Sequence, residues 1–554
     1  MDHASLHRRA REHGANPVVY WIVRGVLQPF FLIYFRLQRI GREHIPAEGP
    51  VIIAANHRSF LDPFVIAVMA GRPMHYVAKQ ELFLKPWQAW VLNALGAFPV
   101  KRGEADAEML ETARIILSRG DVVLIFPEGT RVRPGSLGKP KRGVGRLALE
   151  TGAPVVPVAV IGTEAIRRGW RIRPHRVRIR AGRALRFPKV ENPSPALAGA
   201  VTDRIWPCVM LQWEWLGGLA PVRRVAVIGA GASGTSLAVS LARAGLEVEL
   251  GCRTPEQARA LAENRINERY LPGVTLPDAV HVMRASELSL EGHDLVCLAV
   301  PAKALPAALA AHGGQINQRA GVLVMSKGLV PPLGTLPAAF AAERAGAHAV
   351  AVLGGPVHAA EMLERGASVV VASLDRGFAS QLSDMFTQAG LDVTTTTDVT
   401  GVELAGCAKN AAALAAAAAA VAGPNVAGAA AGKVFAEVDA LARARGGRPE
   451  TFAGLAGAGD LVATVVASGS RNRRAGELLA QGVPAAEIPK AIGQATEAVD
   501  SVPLLASVAR AAAIESPALD GLAALLEGRI EPDQWAATVT EPPQTKRRGS
   551  ARAA

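Results

Sequence analysis

The stretch VAVIGAGASGTSLAVSLARAGLEVEL, residues 225–250, contains an apolar run, a glycine-rich turn, an amphipathic helical pattern and a second apolar run. A strand followed by G-x-G-x-x-G and a helix is the dinucleotide-binding fingerprint. Gly229 allows the tight turn, Gly231 lets the backbone approach a pyrophosphate, and Gly234 permits close packing of the helix, whose N-terminal residues Ala232 and Ser233 face the anion. The stretch therefore predicts a Rossmann domain that binds NAD or NADP.

The end of the second predicted strand bears on which of the two nucleotides is bound. In LGCRT (250–254), Arg253 stands where an acidic residue would hold the free 2′-hydroxyl of NAD. An arginine at this position favours the 2′-phosphate of NADP. NADP is therefore the favoured cofactor, and NAD remains the alternative.

The rest of the C-terminal half follows the pattern of an α/β domain and then becomes helical. Apolar runs at 280–283, 295–300, 322–326, 348–353 and 368–372 suit the strands of an open, largely parallel sheet. Beyond about residue 400 the composition is helical, and the alanine-rich stretch 411–422 favours closely packed helices. We predict a Rossmann domain over 221–399, an all-helical domain over 400–540 and a disordered basic tail over 541–554.

Five further blocks identify this half more closely: RINERYLPG (265–273), SKGL (326–329), GVELAGCAKN (401–410), GLAGAGDLVAT (454–464) and SGSRNRR (468–474). Hydride transfer to a ketone needs a proton donor at the carbonyl oxygen, and a substrate phosphate needs cations and amides. Together with the glycine turn, the blocks resemble bacterial NAD(P)-dependent glycerol-3-phosphate dehydrogenase over nearly all of residues 222–540.

The resemblance implies a role for individual residues. Lys409 would be the catalytic acid and base, Lys327 would assist substrate binding, and Asp460 would fix both the substrate and Lys409. The implied substrate-binding set is Lys327, Gly355, Asp460, Ser470, Arg471 and Asn472. The implied cofactor-binding set, beyond the glycine turn and Arg253, is Lys327, Ala359, Arg471 and Glu497.

Two segments depart from the dehydrogenase pattern. The loop GGPVHA (354–359) stands where the resembled proteins have an SGPSFA-type sequence, so Val357 lacks a hydroxyl and His358 replaces an aromatic residue. The segment GPNVAGAA (423–430) is two residues short, and Lys433 stands where an arginine is usual. Two interpretations stay open: an active dehydrogenase, or a nucleotide-binding sensor that regulates the N-terminal half.

The N-terminal half has its own α/β rhythm over residues 50–190 and a His/Asp pair in NHRSFLD (56–62). Ester-forming acyl transfer needs a base that takes the proton of the acceptor hydroxyl, and a carboxylate on the far ring nitrogen holds the correct tautomer. His57 is the predicted base and Asp62 its orienting carboxylate. The alternative for an isolated histidine is a helix-capping role.

Three blocks follow the pair in order: FPVKRG (98–103), FPEGTR (126–131) and VVPVAVIGT (155–163). The four blocks resemble the glycerolipid acyltransferase family of 1-acylglycerol-3-phosphate acyltransferases, over roughly residues 40–190. The resemblance implies an α/β domain over 41–220, a His57/Asp62 dyad, and a thioester of coenzyme A or acyl carrier protein as co-substrate. It also implies an acceptor and phosphate site formed by Lys101, Arg102, Glu128, Gly129, Thr130 and Arg131.

Charge is concentrated in the N-terminal half. The chain has a net charge of +13, and residues 1–220 contain 32 Lys+Arg against 17 Asp+Glu. Such a basic half suits anionic partners, namely small phosphate substrates and a membrane lipid surface. We predict no nucleic-acid partner because no nucleic-acid-binding motif is present. An acyl carrier protein and a second copy of the chain are further candidate partners.

An apolar aromatic segment, VVYWIVRGVLQPFFLIYFRL, covers residues 18–37. Its internal charges make it a poor spanning helix. A helix that lies in a membrane interface fits better, because the segment combines aromatic residues with arginines whose charged ends can reach water; the aromatic residues are Trp21, Phe30, Phe31 and Phe35. A buried helix pair is the alternative. The arginine-rich stretch 167–183 suits a membrane face and a solvated strand equally well.

Cysteine usage bears on the compartment. The four cysteines contain no C-x-x-C pair, and no metal site is predicted. We therefore expect a cytoplasmic protein that is peripheral on the inner face of the cell membrane, attached through residues 1–40.

Overall fold

The structure is a computed structural model that describes residues 3–100, 107–132, 137–168, 171–219, 221–467 and 469–540. The chain divides into two compact units, Met1–Pro221 and Val222–Ala554. The first unit contains the predicted acyltransferase motifs, and the second contains the glycine turn. Ala220, where the sequence predicted the boundary, and the predicted tail 541–554 lie outside the described residues.

The first unit is a layered α/β domain around one seven-stranded sheet. Its helices are α1 (His3–Glu12), α2 (Pro17–Tyr34), α3 (Asp62–Ala70), α4 (Pro86–Ala94), α5 (Ala107–Ser118), α6 (Gly143–Thr151) and α7 (Pro195–Trp215). Its strands are β1 (Gln38–Ile40), β2 (Val51–Ala55), β3 (Met74–Lys79), β4 (Ala97–Val100), β5 (Val122–Ile125), β6 (Val155–Ile161), β7 (Arg167–Arg168), β8 (Arg171–Ile172) and β9 (Arg178–Ala181). The sheet order is β1-β9-β6-β2-β5-β3-β4, and only the β6–β9 pair is antiparallel.

The centre of this sheet brings distant motifs together. Strand β2 is buried along its whole length and pairs in parallel with β5 and with β6, so that Ile53 lies opposite Leu124 and Val156. Its β-branched residues suit a strand that is covered on both faces. Because the carboxyl ends of parallel strands meet at one edge, the segments 56–62, 126–131 and 162–163 converge there.

Helix α2 contains most of the apolar segment predicted to contact a membrane. Val18, Ile22, Val26 and Ile33 form an exposed stripe on it, between 63% and 78% exposed. Its opposite face packs against the domain, with Tyr20 and Phe31 buried, and there the partly buried Arg24 donates to main-chain carbonyls of α3.

Two parts of the sequence-based prediction for this segment are wrong. Phe31 and Phe35 are 1% exposed and belong to the hydrophobic core, because they lie on the face turned toward the sheet. Arg24 does not extend toward water, since its guanidinium is bonded to the end of α3. Trp21 and Phe30 are exposed, as the interfacial interpretation requires.

The second unit combines a Rossmann sheet with a helical region. Its helices are α8 (Ala232–Arg243), α9 (Pro255–Asn264), α10 (Leu305–His312), α11 (Pro337–Arg344), α12 (Ala359–Arg365), α13 (Arg376–Gln388), α14 (Val399–Ala419), α15 (Pro424–Ala444), α16 (Pro449–Ala453), α17 (Asp460–Val466), α18 (Arg471–Ala480), α19 (Ile488–Ile492), α20 (Glu497–Ala511), α21 (Pro517–Leu526) and α22 (Pro532–Thr540). Its strands are β10 (Arg224–Ile228), β11 (Glu247–Cys252), β12 (Ile266–Asn267), β13 (Leu271–Thr275), β14 (Val280–Arg284), β15 (Leu295–Leu298), β16 (Gly321–Val324), β17 (Ala349–Gly354), β18 (Ser368–Ser373) and β19 (Asp392–Thr396).

The eight-stranded sheet has the order β14-β11-β10-β15-β16-β17-β18-β19, with only the β17–β18 pair antiparallel. The predicted fold class and the predicted strands are therefore confirmed. Short 3₁₀ segments in the two units are Arg42–His44, Gln80–Phe83, Thr163–Ala165, Ala285–Glu287, Leu290–Gly292, Ala302–Ala304, Gly313–Gln315 and Ala420–Ala422. One turn of π-helix, Leu455–Gly459, directly precedes Asp460, and such turns are frequent at functional sites.

By length and composition alone, two helical stretches of the described residues could cross a membrane, or three if the bent pair formed by 449–466 and 471–480 counts as one span. The first is α2, whose apolar window is 17% buried in the structure. The second, Val399–Ala422, is 83% buried and forms the centre of the helical region. Its apolar character is therefore explained by packing inside the second unit.

Two candidate active sites

His57 and Asp62 lie together at the carboxyl edge of the first sheet. The His57 Nδ1 atom is 2.9 Å from Asp62 Oδ2, and the same carboxylate oxygen accepts the backbone N–H groups of Arg58 at 2.6 Å and Ser59 at 2.7 Å. Asp62 is completely buried at the first position of α3. With Nδ1–H directed to the carboxylate, the free imidazole nitrogen is Nε2, which is the arrangement that a general base requires.

Sequence reasoning missed three residues that fix this pair. Thr163 donates its hydroxyl to Asp62 Oδ1 at 2.6 Å. Asn56 holds the loop to β6 through both main-chain groups of Val160, donating at 3.0 Å and accepting at 2.8 Å. The ring of Phe126 stacks on the His57 imidazole with centroids 4.0 Å apart. Asn56 and Phe126 begin the motifs NHRSFLD and FPEGTR, and Thr163 ends VVPVAVIGT. Membership of these motifs was the signal that could have indicated them.

Glu128 connects the FPEGTR turn to the histidine. Its Oε2 accepts the backbone N–H of His57 at 2.6 Å, and its Oε1 accepts the N–H of Gly138 at 2.9 Å. Val132 donates its N–H to the His57 carbonyl at 2.9 Å. Burial raises the pKa of Glu128 to about 7, although the hydrogen bonds from the backbone N–H groups of Gly138 and His57 act to lower it. In this geometry the carboxyl group holds the His57 backbone in place.

The remaining predicted acceptor residues surround the same turn. Gly129 has a φ of 69°, while Thr130 and Arg131 are exposed. A lysine that the sequence did not suggest, Lys141, crosses this turn, with its Nζ 3.1 Å from the position of a Cβ on Gly129. Lys101 and Arg102 lie outside the described residues. Arg131 and Lys141 are thus two cations of this turn among the described residues, and the charge of Arg58 also acts on Glu128.

In the second unit the glycine turn has the geometry that a dinucleotide needs. Gly229 has a φ of 113°, and a Cβ on Gly234 would lie 1.9 Å from the Gly229 carbonyl oxygen. Among the described residues, no atom beyond the adjoining backbone lies within 4 Å of a Cβ built on Gly231, so the backbone is open to a ligand there. The N-cap of α8 is Gly231, and in the part of the chain that the structure describes no side chain caps this end, where Ala232 and Ser233 begin the helix. These residues fit a bound pyrophosphate.

Two further residues define this cofactor edge. Asn267, which was not predicted, donates to the Ala230 carbonyl at 3.1 Å and to the Thr235 hydroxyl at 2.7 Å, and so fixes the turn. Arg253 directly follows β11 and is exposed, at the position that the sequence assigned to the ribose. The glycine turn suits the pyrophosphate of NAD and of NADP alike.

The two predicted lysines share one carboxylate. Lys327 Nζ is 2.5 Å from Asp460 Oδ2 and 2.9 Å from the Gly355 carbonyl, while Lys409 Nζ is 3.1 Å from Asp460 Oδ1 and 2.9 Å from the Thr464 hydroxyl. Burial and the charge of Lys327 lower the pKa of Lys409 to about 8, although Asp460 opposes this. Burial alone would raise the pKa of Asp460, but the two lysines hold it below its usual value.

An amide chain links the lysine pair to α18. Asn410, another residue missed from the sequence, donates to the Lys327 carbonyl at 3.0 Å and accepts from the Asn472 amide at 2.7 Å. Ser470 caps α18 by accepting the N–H of Arg473 at 3.3 Å. The hydroxyl of Ser470 is therefore engaged within the helix cap.

The remaining predicted residues lie around this chain. Glu497 is partly buried and accepts the N–H groups of Ala302 and Lys327, both at 3.1 Å, and desolvation raises its pKa. Arg471 donates to the Ala495 carbonyl at 3.2 Å. Ala359 begins α12 after the altered loop. The described contacts connect Lys327, Lys409, Asp460, Gly355, Asn472 and Glu497 in one network, while Arg471 contacts the loop before Glu497.

Comparisons with known proteins match both units. The family model for an acyltransferase matches residues 36–161, and models for the N-terminal and C-terminal parts of NAD-dependent glycerol-3-phosphate dehydrogenase match 224–379 and 398–537. A glycerol-3-phosphate dehydrogenase [NAD(P)+] of Variovorax paradoxus is 38% identical over 330 residues, which cover 57% of this chain and 96% of that protein. The corresponding protein of Deinococcus radiodurans is 38% identical over 310 residues, which cover 55% of this chain and 91% of that protein.

Among solved structures, glycerol-3-phosphate dehydrogenase from Coxiella burnetii matches with a TM-score of 0.55 and 30% identity. The match covers 58% of this chain and 99% of that one. The matched part of this chain thus corresponds to nearly the whole Coxiella burnetii protein.

Proposed function

The chain belongs to the NAD-dependent glycerol-3-phosphate dehydrogenase family and also carries an acyltransferase domain, and from this premise we propose that it is a bifunctional enzyme of phospholipid precursor synthesis. The second unit reduces dihydroxyacetone phosphate to sn-glycerol 3-phosphate. The first unit transfers an acyl group to glycerol 3-phosphate or to its 1-acyl derivative. The observation that carries the proposal is the presence of two separate proton-transfer groups, His57 beside Asp62 and Lys409 beside Asp460.

In the proposed dehydrogenase reaction, Lys409 holds the transferred proton. When bound, the nicotinamide cofactor supplies the hydride. The ammonium group of Lys409 donates its proton to the ketone oxygen as that oxygen gains negative charge, and Asp460 keeps the amine aimed at this position. Lys327 orients the carboxylate that holds Lys409 and adds positive charge beside the substrate. The N-terminus of α18 with Arg471 is suited to bind the substrate phosphate.

In the proposed acyl transfer, His57 Nε2 removes the proton of the acceptor hydroxyl while the hydroxyl oxygen attacks the thioester carbonyl. The new ester bond replaces the thioester bond, and the proton leaves with the thiol of coenzyme A or acyl carrier protein. Asp62 holds the tautomer and stabilises the imidazolium that forms. Arg131 and Lys141 are candidates to bind the acceptor phosphate, in addition to the predicted Lys101 and Arg102.

Two assays on the purified full-length protein test the proposal. Loss of NADPH or NADH absorbance with dihydroxyacetone phosphate measures the first reaction. Incorporation of labelled acyl-CoA into glycerol 3-phosphate or 1-acylglycerol 3-phosphate measures the second and identifies the acceptor. Nucleotide binding without turnover would instead favour the sensor interpretation, which Val357 and the short 423–430 segment motivate. Failure with both acceptors would contradict the acyltransferase proposal.

Glu128→Gln is expected to slow acyl transfer by about tenfold to a hundredfold. A glutamine amide can present only one oxygen, so one of the two backbone N–H groups that Glu128 now accepts would lose its partner, at a cost of about 1–3 kcal/mol. The effect should appear mainly in kcat, because the His57 backbone is displaced. Acyl-transfer kinetics measure it, with Glu150→Gln on α6 as a matched control. A rise confined to the KM of the acceptor would show that Glu128 acts by binding substrate.

Arg253→Asp is expected to reverse the nucleotide preference of the dehydrogenase. We propose that Arg253 pairs with the 2′-phosphate of NADPH, whereas an aspartate there repels that phosphate and accepts from a ribose hydroxyl. The ratio of kcat/KM for NADPH to that for NADH should fall by about a hundredfold. This estimate assumes the loss of two charge-assisted contacts with the 2′-phosphate, each of which contributes about 1.4 kcal/mol, or a factor of about ten. Steady-state kinetics with both nucleotides measure the ratio. An unchanged ratio would remove Arg253 from cofactor selection.

Membrane attachment through the exposed stripe of α2 is part of the proposed function. The stripe places four apolar side chains, Val18, Ile22, Val26 and Ile33, on one exposed face of α2, which suits the apolar side of a helix that lies in a membrane interface. A Val26→Ser, Ile33→Ser double variant should float with anionic vesicles at least tenfold less, since each replaced side chain contributes about 1–2 kcal/mol of apolar transfer. Leu374→Ser, at an equally exposed position in the second unit, is the control. Equal flotation of all proteins would contradict this attachment.

A further inference from the structure

His358 is the last residue of the altered loop, the segment 355–358 between β17 and α12. Its side chain is half-buried, and its Nε2 atom lies 3.2 Å from the carbonyl oxygen of Ala463 on α17. Because a carbonyl oxygen can only accept, Nε2 carries the hydrogen of this bond. The imidazole therefore connects the altered loop to α17 through a directed hydrogen bond.

The accepting carbonyl lies in the last turn of α17, which ends at Val466. Ala467 donates its N–H to the same oxygen at 3.1 Å, and the two lone pairs of a carbonyl allow a second donor. The last carbonyls of a helix lack some of the donors that a continuing helix would supply. A purely structural role for His358 would be to satisfy this helix end.

The altered loop also carries a group of the proposed substrate site. The carbonyl of Gly355 accepts Lys327 Nζ at 2.9 Å, and the same ammonium group is 2.5 Å from Asp460 Oδ2. Asp460 begins α17, and Ala463 lies three residues further along this helix. The loop is thus connected to α17 at both of its ends, by Gly355 through Lys327 and by His358 directly.

The backbone of the altered loop gives the imidazole bond a consequence for Lys327. Residues 355–358 belong to no helix or strand, and Gly355 has a φ of 95°, which glycine adopts with little restraint. Loss of the imidazole bond would transfer more of the restraint on the loop to the Lys327 contact. Displacement of the Gly355 carbonyl would then draw the Lys327 ammonium group away from its place beside Asp460.

We propose that His358 is a positioning residue of the dehydrogenase site. Its bond to Ala463 holds the Gly355 carbonyl, and through it the Lys327 ammonium group, in place for the phosphorylated ketone. This inference rests on the dehydrogenase activity proposed above. Lys409 keeps its own contacts with Asp460 and Thr464, so the bond acts on substrate binding and not on proton transfer.

Steady-state kinetics of the full-length His358→Phe variant test the proposal, because phenylalanine keeps a ring at this position but has no donor. The KM for dihydroxyacetone phosphate should rise about threefold to tenfold, the range expected for one lost hydrogen bond. The KM for NADPH should stay within about twofold of its original value. A variant that only folded less well would lower the apparent kcat and leave both KM values unchanged. An unchanged KM for dihydroxyacetone phosphate would overturn the proposal.

A conservative variant separates the hydrogen bond from the shape of the ring. The amide N–H group of glutamine can take the place of the imidazole Nε2–H, so His358→Gln should restore the KM to within about twofold. A glutamine variant as impaired as His358→Phe would overturn the role of the bond to Ala463. His281→Phe makes the same replacement at an exposed histidine of β14 and should change neither KM. His358→Ala replaces His358→Phe if the latter unfolds by circular dichroism.

Hydrogen exchange measures the loop without any turnover. Backbone amides of residues 357–362 should exchange about tenfold faster in His358→Phe than in the unaltered chain, because the loop opens locally more often. His358→Gln should restore their protection, and equal exchange in all three proteins would overturn the proposal. If the unaltered chain does not oxidise NADPH with dihydroxyacetone phosphate, the proposed function fails, and the exchange rates still decide whether His358 holds the loop.

Discussion

Lys409→Met is expected to lower the rate of dihydroxyacetone phosphate reduction by about a thousandfold, within the 10²- to 10⁴-fold range of general acid catalysis. Methionine keeps the length and apolar stem of the lysine but cannot donate a proton. The contacts of Lys409 with Asp460 and Thr464 are lost as well. Oxidation of NADPH under saturating substrate measures the change. Lys490→Met, at an exposed position on α19, is the matched control and should retain full activity.

The pH dependence provides a second test of the same residue. Because the pKa of Lys409 is lowered to about 8, the group is protonated below that pH and can serve as the acid in reduction. The reduction rate should therefore be nearly constant below about pH 8 and fall up to tenfold per unit above it. Oxidation of glycerol 3-phosphate needs the neutral amine, so its rate should rise across the same range.

Lys327→Met shifts this profile in a defined direction. The charge of Lys327 is one of the causes that lower the pKa of Lys409, after burial. Its removal should move the alkaline inflection to higher pH, while activity also falls because Lys327 orients Asp460. An inflection that stays in place, or that survives Lys409→Met, would assign the titration to another group.

The parts of the fold that depend on local sequence could be predicted. The glycine turn was predictable because Gly229, Gly231 and Gly234 serve requirements of backbone geometry within six residues. The strands were predictable as well, since continuous apolar runs of β-branched residues suit a sheet covered on both faces. His57 and Asp62 are five residues apart, so their contact is also local.

Contacts that cross the chain could not be predicted in the same way. Thr163 reaches Asp62 across 101 positions, and Asn472 reaches Asn410 across 62. A threonine or an asparagine has many local uses, so its sequence context does not indicate a distant partner. The sheet order of the first unit determines the Thr163–Asp62 contact, because it brings the ends of β2 and β6 to one edge. The Asn472–Asn410 contact depends instead on the packing of α14 against α18.

The aromatic segment shows a different limit. Phe30 and Phe31 are neighbours in sequence, yet Phe30 is exposed and Phe31 is buried. Composition identified the segment as suited to a membrane interface, but the side that faces the sheet depends on the rotation of α2 about its axis. That rotation is fixed by contacts such as those of Arg24 with α3, which hydropathy does not describe.

The second large effect is expected at His57. His57→Gln should lower acyl transfer by about 10²- to 10⁴-fold, because glutamine cannot accept and return the proton of the acceptor hydroxyl. Transfer of labelled acyl groups from acyl-CoA measures the loss. The dehydrogenase activity of the same preparation should be unchanged, since Lys409 and Asp460 belong to the other unit. This activity also measures how much of the second unit is folded in each preparation. His13→Gln, at an exposed histidine, is the control for the first unit.

The residues around His57 should then lose activity in a graded order. In the structure, Asp62 Oδ2 accepts hydrogen bonds from His57 Nδ1 and from the backbone N–H groups of Arg58 and Ser59. Asp62→Asn can place an amide NH₂ group at this position, which would disturb both the tautomer of His57 and the loop formed by Arg58 and Ser59. We expect a loss close to that of His57→Gln. Thr163→Val removes one hydrogen bond to the other oxygen, worth about 1–2 kcal/mol, and should cost about tenfold. A Thr163→Val loss as large as that of Asp62→Asn would contradict the proposed role of the Asp62–His57 contact, because that contact would remain in the variant while activity did not.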